Sequence, residues 1–94
     1  MSKEDFVKQI VILRNAFPGK FDVTKVNIDT WYSFLGWFDA DVFSYAVNNW
    51  IMHERLAPSI SELRKVAFDA RDKKTVHPEQ WEWEKNNQWE TMKQ

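Results

Sequence analysis

The sequence predicts an all-α protein, a small four-helix domain followed by a C-terminal tail for which a fifth helix is one option. Hydrophobic residues recur at helical spacing in four successive segments. Only two glycines and three prolines occur in 94 residues, too few for the tight turns of an all-β domain of this length. Because 44% of the residues are hydrophobic and 29% are charged, the chain has the composition of a folded globular protein with one modest core.

The first helix is predicted to begin after Ser2 and to end at Phe17. Ser2 is a favoured N-cap residue, and Glu4 and Asp5 lie in the first turn, where the helix dipole favours carboxylates. Pro18 disfavours helical geometry at the residue before it, which stops the helix. The apolar face of this helix is formed by Phe6, Val7, Ile10, Val11, Leu13 and Phe17.

The second helix is predicted to start at about Asn27 or Asp29 and is rich in aromatic residues. Its apolar residues are Ile28, Trp31, Tyr32, Phe34 and Leu35. Gly36 follows the last of them, at the place where a residue in the left-handed conformation commonly closes a helix. The sequence therefore predicts that Gly36 ends this helix in that conformation.

The third and fourth helices are predicted to supply the centre of the core. Asp39 is the expected N-cap of the third helix, and Ser59 and Glu62 have the spacing of a capping box at the start of the fourth. The main apolar stripes are Val42, Ala46 and Trp50, then Phe43, Val47 and Ile51, and finally Ile60, Leu63, Ala67 and Ala70, with Val66 and Phe68 beside them. A charged stretch follows, so we expect a compact domain over residues 1–74 and a tryptophan-rich segment over residues 75–94.

Aromatic residues are the strongest feature of the composition. Six Trp, seven Phe and two Tyr are more than a four-helix core of this size requires. The aromatic residues assigned to the core are Phe6, Phe17, Trp31, Phe43 and Trp50. The remaining tryptophans near the C-terminus need a separate explanation.

The segment after residue 74 contains three tryptophans among polar residues. A helix would place Trp81, Trp89 and Met92 on one side and Trp83 nearly opposite, because successive residues are about 100° apart. One helix face therefore cannot bury all three tryptophans. Two interpretations stay open, a fifth helix packed on the domain or a partner-binding segment, since Trp is enriched at protein-binding hot spots. The candidate partner-binding residues are Trp81, Trp83, Trp89 and Met92.

No pattern for catalysis, metal binding or cofactor binding is present in the sequence. His53 and His77 are the only histidines, and they lack the spacing of a helical zinc site. The absence of cysteine excludes disulfides and thiolate catalysis, and two glycines cannot build a phosphate-binding loop. Asp39 and Asp41 are interpreted as helix-capping and first-turn charges. We therefore expect no catalytic centre, no metal and no cofactor.

A small helical DNA-binding protein, similar to a helix-turn-helix domain, is the main alternative. Its candidate nucleic-acid-binding residues are Arg64, Lys65, Arg71, Lys73 and Lys74, all on the fourth helix. Asp69 and Asp72 dilute this positive charge, and the formal net charge of the chain is −1. Because no overall positive field attracts a nucleic-acid backbone, an ordinary solvated helix face is the simpler interpretation.

The sequence also predicts where in the cell the protein acts. No apolar run approaches the roughly 18 residues that a membrane-spanning helix needs. The polar start at residues 1–5 does not have the form of a signal peptide. We therefore expect a cytoplasmic protein with no membrane partner.

Several of these features occur in an order that is similar to one protein family. They are Ala16-Phe17-Pro18 with Phe21 after the first helix, Trp31-Tyr32 and Leu35 in the second, Ala46 in the third, and Pro58-Ser59-Ile60-Ser61-Glu62-Leu63 opening the fourth. Together they resemble the phage replicative-helicase loader and inhibitor family over roughly the first seventy residues.

The resemblance implies a function as well as a fold. It implies a helical N-terminal domain and a flexible C-terminal segment that binds the hexameric replicative helicase, blocks its activity and passes it to an origin-bound initiator. Members bind their target without being enzymes. Assigning the helicase contact to the C-terminal tryptophans is our own hypothesis, and inhibition of the host replication machinery, through its helicase or helicase loader, is an alternative.

Overall fold

The computed structural model describes residues 1–76, and within that range the protein is all-α with no strand. Its four helices are α1 (Lys3–Ala16), α2 (Lys25–Leu35), α3 (Ala40–His53) and α4 (Ile60–Val76). The predicted all-α class and the four predicted helices are confirmed. The fifth helix considered for the tryptophan-rich segment lies outside the described residues.

The ends of α1 follow the predicted signals. The Ser2 hydroxyl accepts a hydrogen bond from the Asp5 backbone N–H at 3.1 Å, so the N-cap satisfies one of the free donors of the first turn. At the other end the Phe17 N–H donates to the Leu13 carbonyl oxygen at 2.8 Å. Gly19 then takes a φ of 81°, a left-handed conformation that glycine adopts without steric cost, and the chain reverses.

The start of α2 differs from the prediction. The helix begins at Lys25, before Asn27 and Asp29, because Thr24 is its N-cap. The Thr24 hydroxyl accepts a hydrogen bond from the Asn27 N–H at 3.2 Å. Asn27 therefore lies inside the first turn, and its side-chain amide donates to the Asp22 carbonyl oxygen at 2.7 Å.

The predicted left-handed conformation of Gly36 is wrong. Gly36 has φ −68° and ψ −14°, which is right-handed helical geometry. Glycine is needed here because a side chain would not fit: a Cβ atom would lie 2.7 Å from the ring of Tyr32. The carbonyl oxygens at this turn are satisfied by the N-terminal ammonium of Met1, which donates to Gly36 at 2.7 Å and to Phe38 at 3.0 Å.

The starts of α3 and α4 use different capping arrangements. Asp39 occupies the N-cap position of α3 with extended backbone geometry, but its side chain makes no capping hydrogen bond. The capping box of α4 is complete. The Ser59 hydroxyl accepts from the Glu62 N–H at 3.2 Å, and the Glu62 carboxylate accepts from the Ser59 N–H at 3.0 Å.

The core lies between the four helices, of which α3 and α4 share the most extensive contact. The α1 helix packs against α3 and α2, and α4 packs against the same two helices, so each helix has two main neighbours. Phe6 sits at the middle of the core, with its ring 5.3 Å from Tyr32 of α2 and 5.4 Å from Phe43 of α3. The largest fully buried side chains are Phe6, Ile10, Leu13, Leu35, Phe38, Val42, Phe43, Val47 and Leu63.

Residues at the edge of the core account for the other aromatic assignments. Trp50 is buried, and its indole N–H donates to the Leu56 carbonyl oxygen at 2.7 Å, which ties the end of α3 to the following connector. Trp31 and Phe17 are partly buried against the core. Phe21 is buried and meets the Trp31 ring edge-on at 5.4 Å. Among the described residues no helix has the length and apolar content of a membrane span.

Candidate interaction surface

The described residues leave a small set of large hydrophobic side chains exposed to solvent. They are Ile12, Val26, Phe34, Trp37, Met52 and Leu56. Single exposed hydrophobic residues are ordinary on soluble domains, so only a group of them carries information. Phe34 and Trp37 form such a group, since they lie one helical turn apart where α2 leads into α3.

Trp37 is held in a fixed orientation although about half of its surface, 51%, is exposed. Its ring stacks on buried Phe38 with the centroids 4.2 Å apart and the planes 21° apart. Its indole N–H donates to the Phe34 carbonyl oxygen at 3.1 Å. Because stacking and hydrogen bonding both fix the side chain, a partner that binds it does not have to order it first.

Phe68 of α4 completes the aromatic part of this surface. Its ring meets Phe38 edge-on at 5.2 Å and lies 5.3 Å from Trp37. The three rings therefore form one contiguous cluster in which Phe38 is buried, Phe68 is partly buried and Trp37 is the most exposed. The cluster joins the turn before α3 to the middle of α4.

Two arginines border the cluster. The Arg71 guanidinium lies 4.9 Å from the Phe68 ring centroid and 5.6 Å from that of Trp37. The Arg64 guanidinium lies 5.3 Å from the Phe68 centroid. These are cation–π distances, and the planar guanidinium groups keep their remaining N–H donors available at the surface. We call Trp37, Phe68, Arg64 and Arg71 the Trp–Arg surface.

Helical spacing explains why α4 presents these side chains together. Arg64, Phe68 and Arg71 are four and three residues apart, so they lie on one side of the helix. Neither guanidinium has a carboxylate within 4 Å among residues 1–76. Asp69 points to a different side of α4, and Asp72 lies at the rim, one turn beyond Phe68. The Trp–Arg surface is therefore positively charged.

The five basic residues considered for DNA binding are not brought together by the fold. Lys73 donates to the Tyr45 hydroxyl at 3.2 Å, and the Lys74 ammonium contacts the Asp41 carboxylate at 2.6 Å. Both lysines therefore turn toward α3, while the two arginines border the aromatic cluster. Lys65 is exposed between these directions. The five basic side chains therefore point in three different directions around α4 and do not form one positive patch.

Sequence patterns identified only part of the Trp–Arg surface. The sequence predicts Arg64 and Arg71 as candidate nucleic-acid-binding residues and Phe68 as a neighbour of the apolar stripe of α4. Trp37 was missed because it lies in the turn between two helices, outside any helical periodicity. One sequence feature could have indicated Trp37: it directly follows Gly36, which ends a helix, and directly precedes the apolar residue Phe38.

The predicted partner-binding residues Trp81, Trp83, Trp89 and Met92 lie outside the described residues, as does His77. His53 is exposed at the end of α3, where its ring nitrogen Nδ1 lies 2.9 Å from the Asn49 carbonyl oxygen. Within residues 1–76 no group of three or more acidic, histidine or cysteine side chains lies close enough to hold a metal ion.

The Asp29 carboxylate of α2 has a lowered pKa. The hydrogen bond from the Lys3 ammonium lowers the pKa of Asp29 below its ordinary value, and the charges of Lys3 and Lys25 act in the same direction. This ion pair joins α1 to α2 and includes no residue of the Trp–Arg surface.

The fold and the surface together define a class of protein. They are those of a small all-α domain that exposes a tryptophan beside an arginine-bordered aromatic cluster. A family model for the N-terminal domain of the phage SPP1 helicase loader/inhibitor matches residues 1–64. The chain belongs to this phage helicase-loader family.

The family match confirms the resemblance seen in the sequence. The matched range ends in the first turns of α4 and includes all of α1, α2 and α3. A helicase loader is not itself catalytic, and the family implies a replicative helicase as partner. Searches of curated proteins and of solved structures found no significant match to this chain.

Proposed function

We propose that this protein is an adaptor that binds a replicative DNA helicase, restrains its activity in solution and delivers it during phage DNA replication. The observation that carries the proposal is the match of residues 1–64 to the helicase-loader family. The exposed aromatic and basic side chains of the Trp–Arg surface support a role in protein binding. In this role the protein acts in the cytoplasm of the host cell.

We assign the two parts of the chain different tasks. Residues 1–74 are the folded loader domain, and residues 75–94 supply the helicase contact through Trp81, Trp83 and Trp89, with Met92 beside them. Large aromatic side chains bury much apolar surface at little conformational cost, which suits a short binding segment. An origin-bound initiator is a second partner in this scheme, since a loader must release the helicase at a defined place.

A strand-displacement assay with purified replicative helicase tests the function. We expect the full chain to lower the rate of unwinding of a forked substrate when no initiator is present. The phage-encoded and the host helicase are assayed in parallel, because restraint of the host enzyme alone would indicate an inhibitor of host replication. An unchanged rate with both helicases, at a large excess of the chain, would count against the proposal.

The assigned helicase contact is tested with a full-length variant in which Trp81, Trp83 and Trp89 are replaced by alanine. We expect this variant to lose the inhibition while its circular dichroism keeps the helical signal of the wild type. Gln88→Ala in the same segment is the matched control and should inhibit normally. Full inhibition by the triple variant would show that the helicase contact lies elsewhere.

We do not propose DNA binding as a second function. Lys74 is paired with Asp41 and Lys73 contacts Tyr45, so these two lysines do not face the same way as the two arginines beside the aromatic cluster. A nucleic-acid backbone requires several cations that face the same way, and the chain has a net charge of −1. A gel-shift assay at physiological salt would show a retained complex if DNA were the ligand.

A further inference from the structure

We propose that the Trp–Arg surface is a docking site for an acidic amphipathic segment of a partner protein, one that presents an aliphatic side chain flanked by carboxylates. Its residues differ from Trp81, Trp83 and Trp89, to which the helicase contact is assigned. The inference rests on the proposed function only in taking the ligand to be a protein. It gives the folded domain a binding role of its own.

The apolar part of the ligand follows from Trp37 and its neighbours. About half of the Trp37 side chain is exposed, and exposed Phe34 lies one turn before it. Phe68 forms the wall on the α4 side, with its ring 5.3 Å from the indole. An aliphatic side chain placed against these rings would remove apolar surface from water without requiring the cluster to rearrange.

The acidic part of the ligand follows from the arginines. The Arg64 and Arg71 guanidinium groups lie near the Phe68 ring, at 5.3 Å and 4.9 Å from its centroid, and neither is paired with a carboxylate among residues 1–76. A guanidinium that lies over a ring is pre-oriented to bind a carboxylate through two N–H groups.

The same geometry argues against single-stranded nucleic acid as the occupant. Sequence-independent binding of single strands uses aromatic faces on which bases stack. Phe38 covers one face of the Trp37 indole at 4.2 Å, and the Arg71 guanidinium lies over the same ring system. The indole N–H is also occupied by the Phe34 carbonyl oxygen. A protein side chain can bind at the exposed ring edge that remains.

The test is a titration of the isotope-labelled full chain, followed by the NMR signal of the Trp37 indole N–H, which is assigned with Trp37→Phe. The probe is a short synthetic peptide with leucine and glutamate at helical spacing. We expect it to shift the indole signal and the backbone signals of residues 64–71. A peptide with serine in place of leucine, and one with glutamine in place of glutamate, should each bind at least about tenfold more weakly.

A charge exchange makes the test specific. Arg64→Glu combined with Arg71→Glu should abolish binding of the glutamate peptide and create binding of a lysine–leucine peptide at the same signals. Lys65→Glu changes the same charge on the same helix but outside the surface, so it should leave the affinity for the glutamate peptide within about twofold.

Three results would overturn the proposal. The first is no shift of the Trp37 indole with the glutamate peptide at millimolar concentration. The second is a shift with oligothymidine of equal or greater affinity. The third is a shift that depends on the concentration of the chain alone, which would make the surface a self-association site. Since no helicase is present in this experiment, its failure is distinguishable from failure of the proposed function.

Discussion

Individual polar groups near the N-terminus hold together parts of the chain that are more than thirty residues apart. The Met1 ammonium donates to the carbonyl oxygens of Gly36 and Phe38, and the Tyr32 hydroxyl donates to the Met1 carbonyl oxygen at 2.7 Å. These bonds are partly buried, so water competes for them less than at the surface. They fix the turn from which Trp37 projects.

The two glycines are predicted to resist substitution for different reasons. In Gly36→Ala the new Cβ atom would collide with the Tyr32 ring, which is packed on Phe6, so we expect the free energy of unfolding to fall by about 2 kcal/mol. In Gly19→Ala the new Cβ atom would have no neighbour within 4 Å, but alanine would have to keep a φ of 81°, which should lower the free energy of unfolding by about 1 kcal/mol. Urea denaturation measures both, and a neutral Gly36→Ala would contradict the close approach of this position to Tyr32.

At the scale of whole elements, helix ends decide where the surface residues lie. The capping box at Ser59 sets the start of α4 and therefore the positions of Arg64, Phe68 and Arg71 along it. Lys3 and Asp29 join α1 to α2. Neither contact is buried, so their contributions to stability are modest.

Removal of the α4 cap is predicted to destabilise the domain measurably. Ser59→Ala leaves the Glu62 N–H without its side-chain acceptor, and we expect a loss of about 1 kcal/mol in the free energy of unfolding. Ser61→Ala is the matched control, since within residues 1–76 its hydroxyl contacts only the Ser59 hydroxyl, and it should change stability by less than about 0.5 kcal/mol. Equal effects of the two changes would contradict this assignment of the cap.

The ion pair between α1 and α2 predicts a pH dependence confined to acid. Because the folded pKa of Asp29 is below its ordinary value of 3.8, the pair stabilises the folded state above that pH. The contribution is lost as the pH falls through the lowered folded pKa. NMR titration of the Asp29 carboxyl should show this lowered pKa, and Lys3→Gln should raise it toward 3.8. An unchanged pKa in Lys3→Gln would contradict the assigned cause.

The sequence predicts the helices more completely than it predicts the conformations of single residues. Helical periodicity and the caps at Ser2 and Ser59 indicated α1, α3 and α4, because those signals are local. The start of α2 was placed too late because Thr24 precedes any periodic apolar residue. The conformation of Gly36 depends on Tyr32 and on the distant Met1 ammonium, which no local pattern reveals. Trp37 belongs to the surface only through its tertiary contact with Phe68.

At the scale of the whole molecule, the fold separates a packed core from an aromatic and positively charged surface. The α3 helix carries many of the buried residues and packs against α1 and α4. Membership in the helicase-loader family and this surface both fit an adaptor that works by binding. In our proposal the folded domain and the tryptophan-rich residues bind different partner segments, so each can be disabled alone.

Sedimentation velocity of the fluorescently labelled full chain, mixed with the purified replicative helicase hexamer and ATP, tests whether the protein binds the helicase. We expect part of the label to move with the hexamer and the unlabelled chain to compete for it. A label that stays at the slow boundary of the free chain, with the phage and the host helicase alike, would show that the protein is not a helicase-binding adaptor.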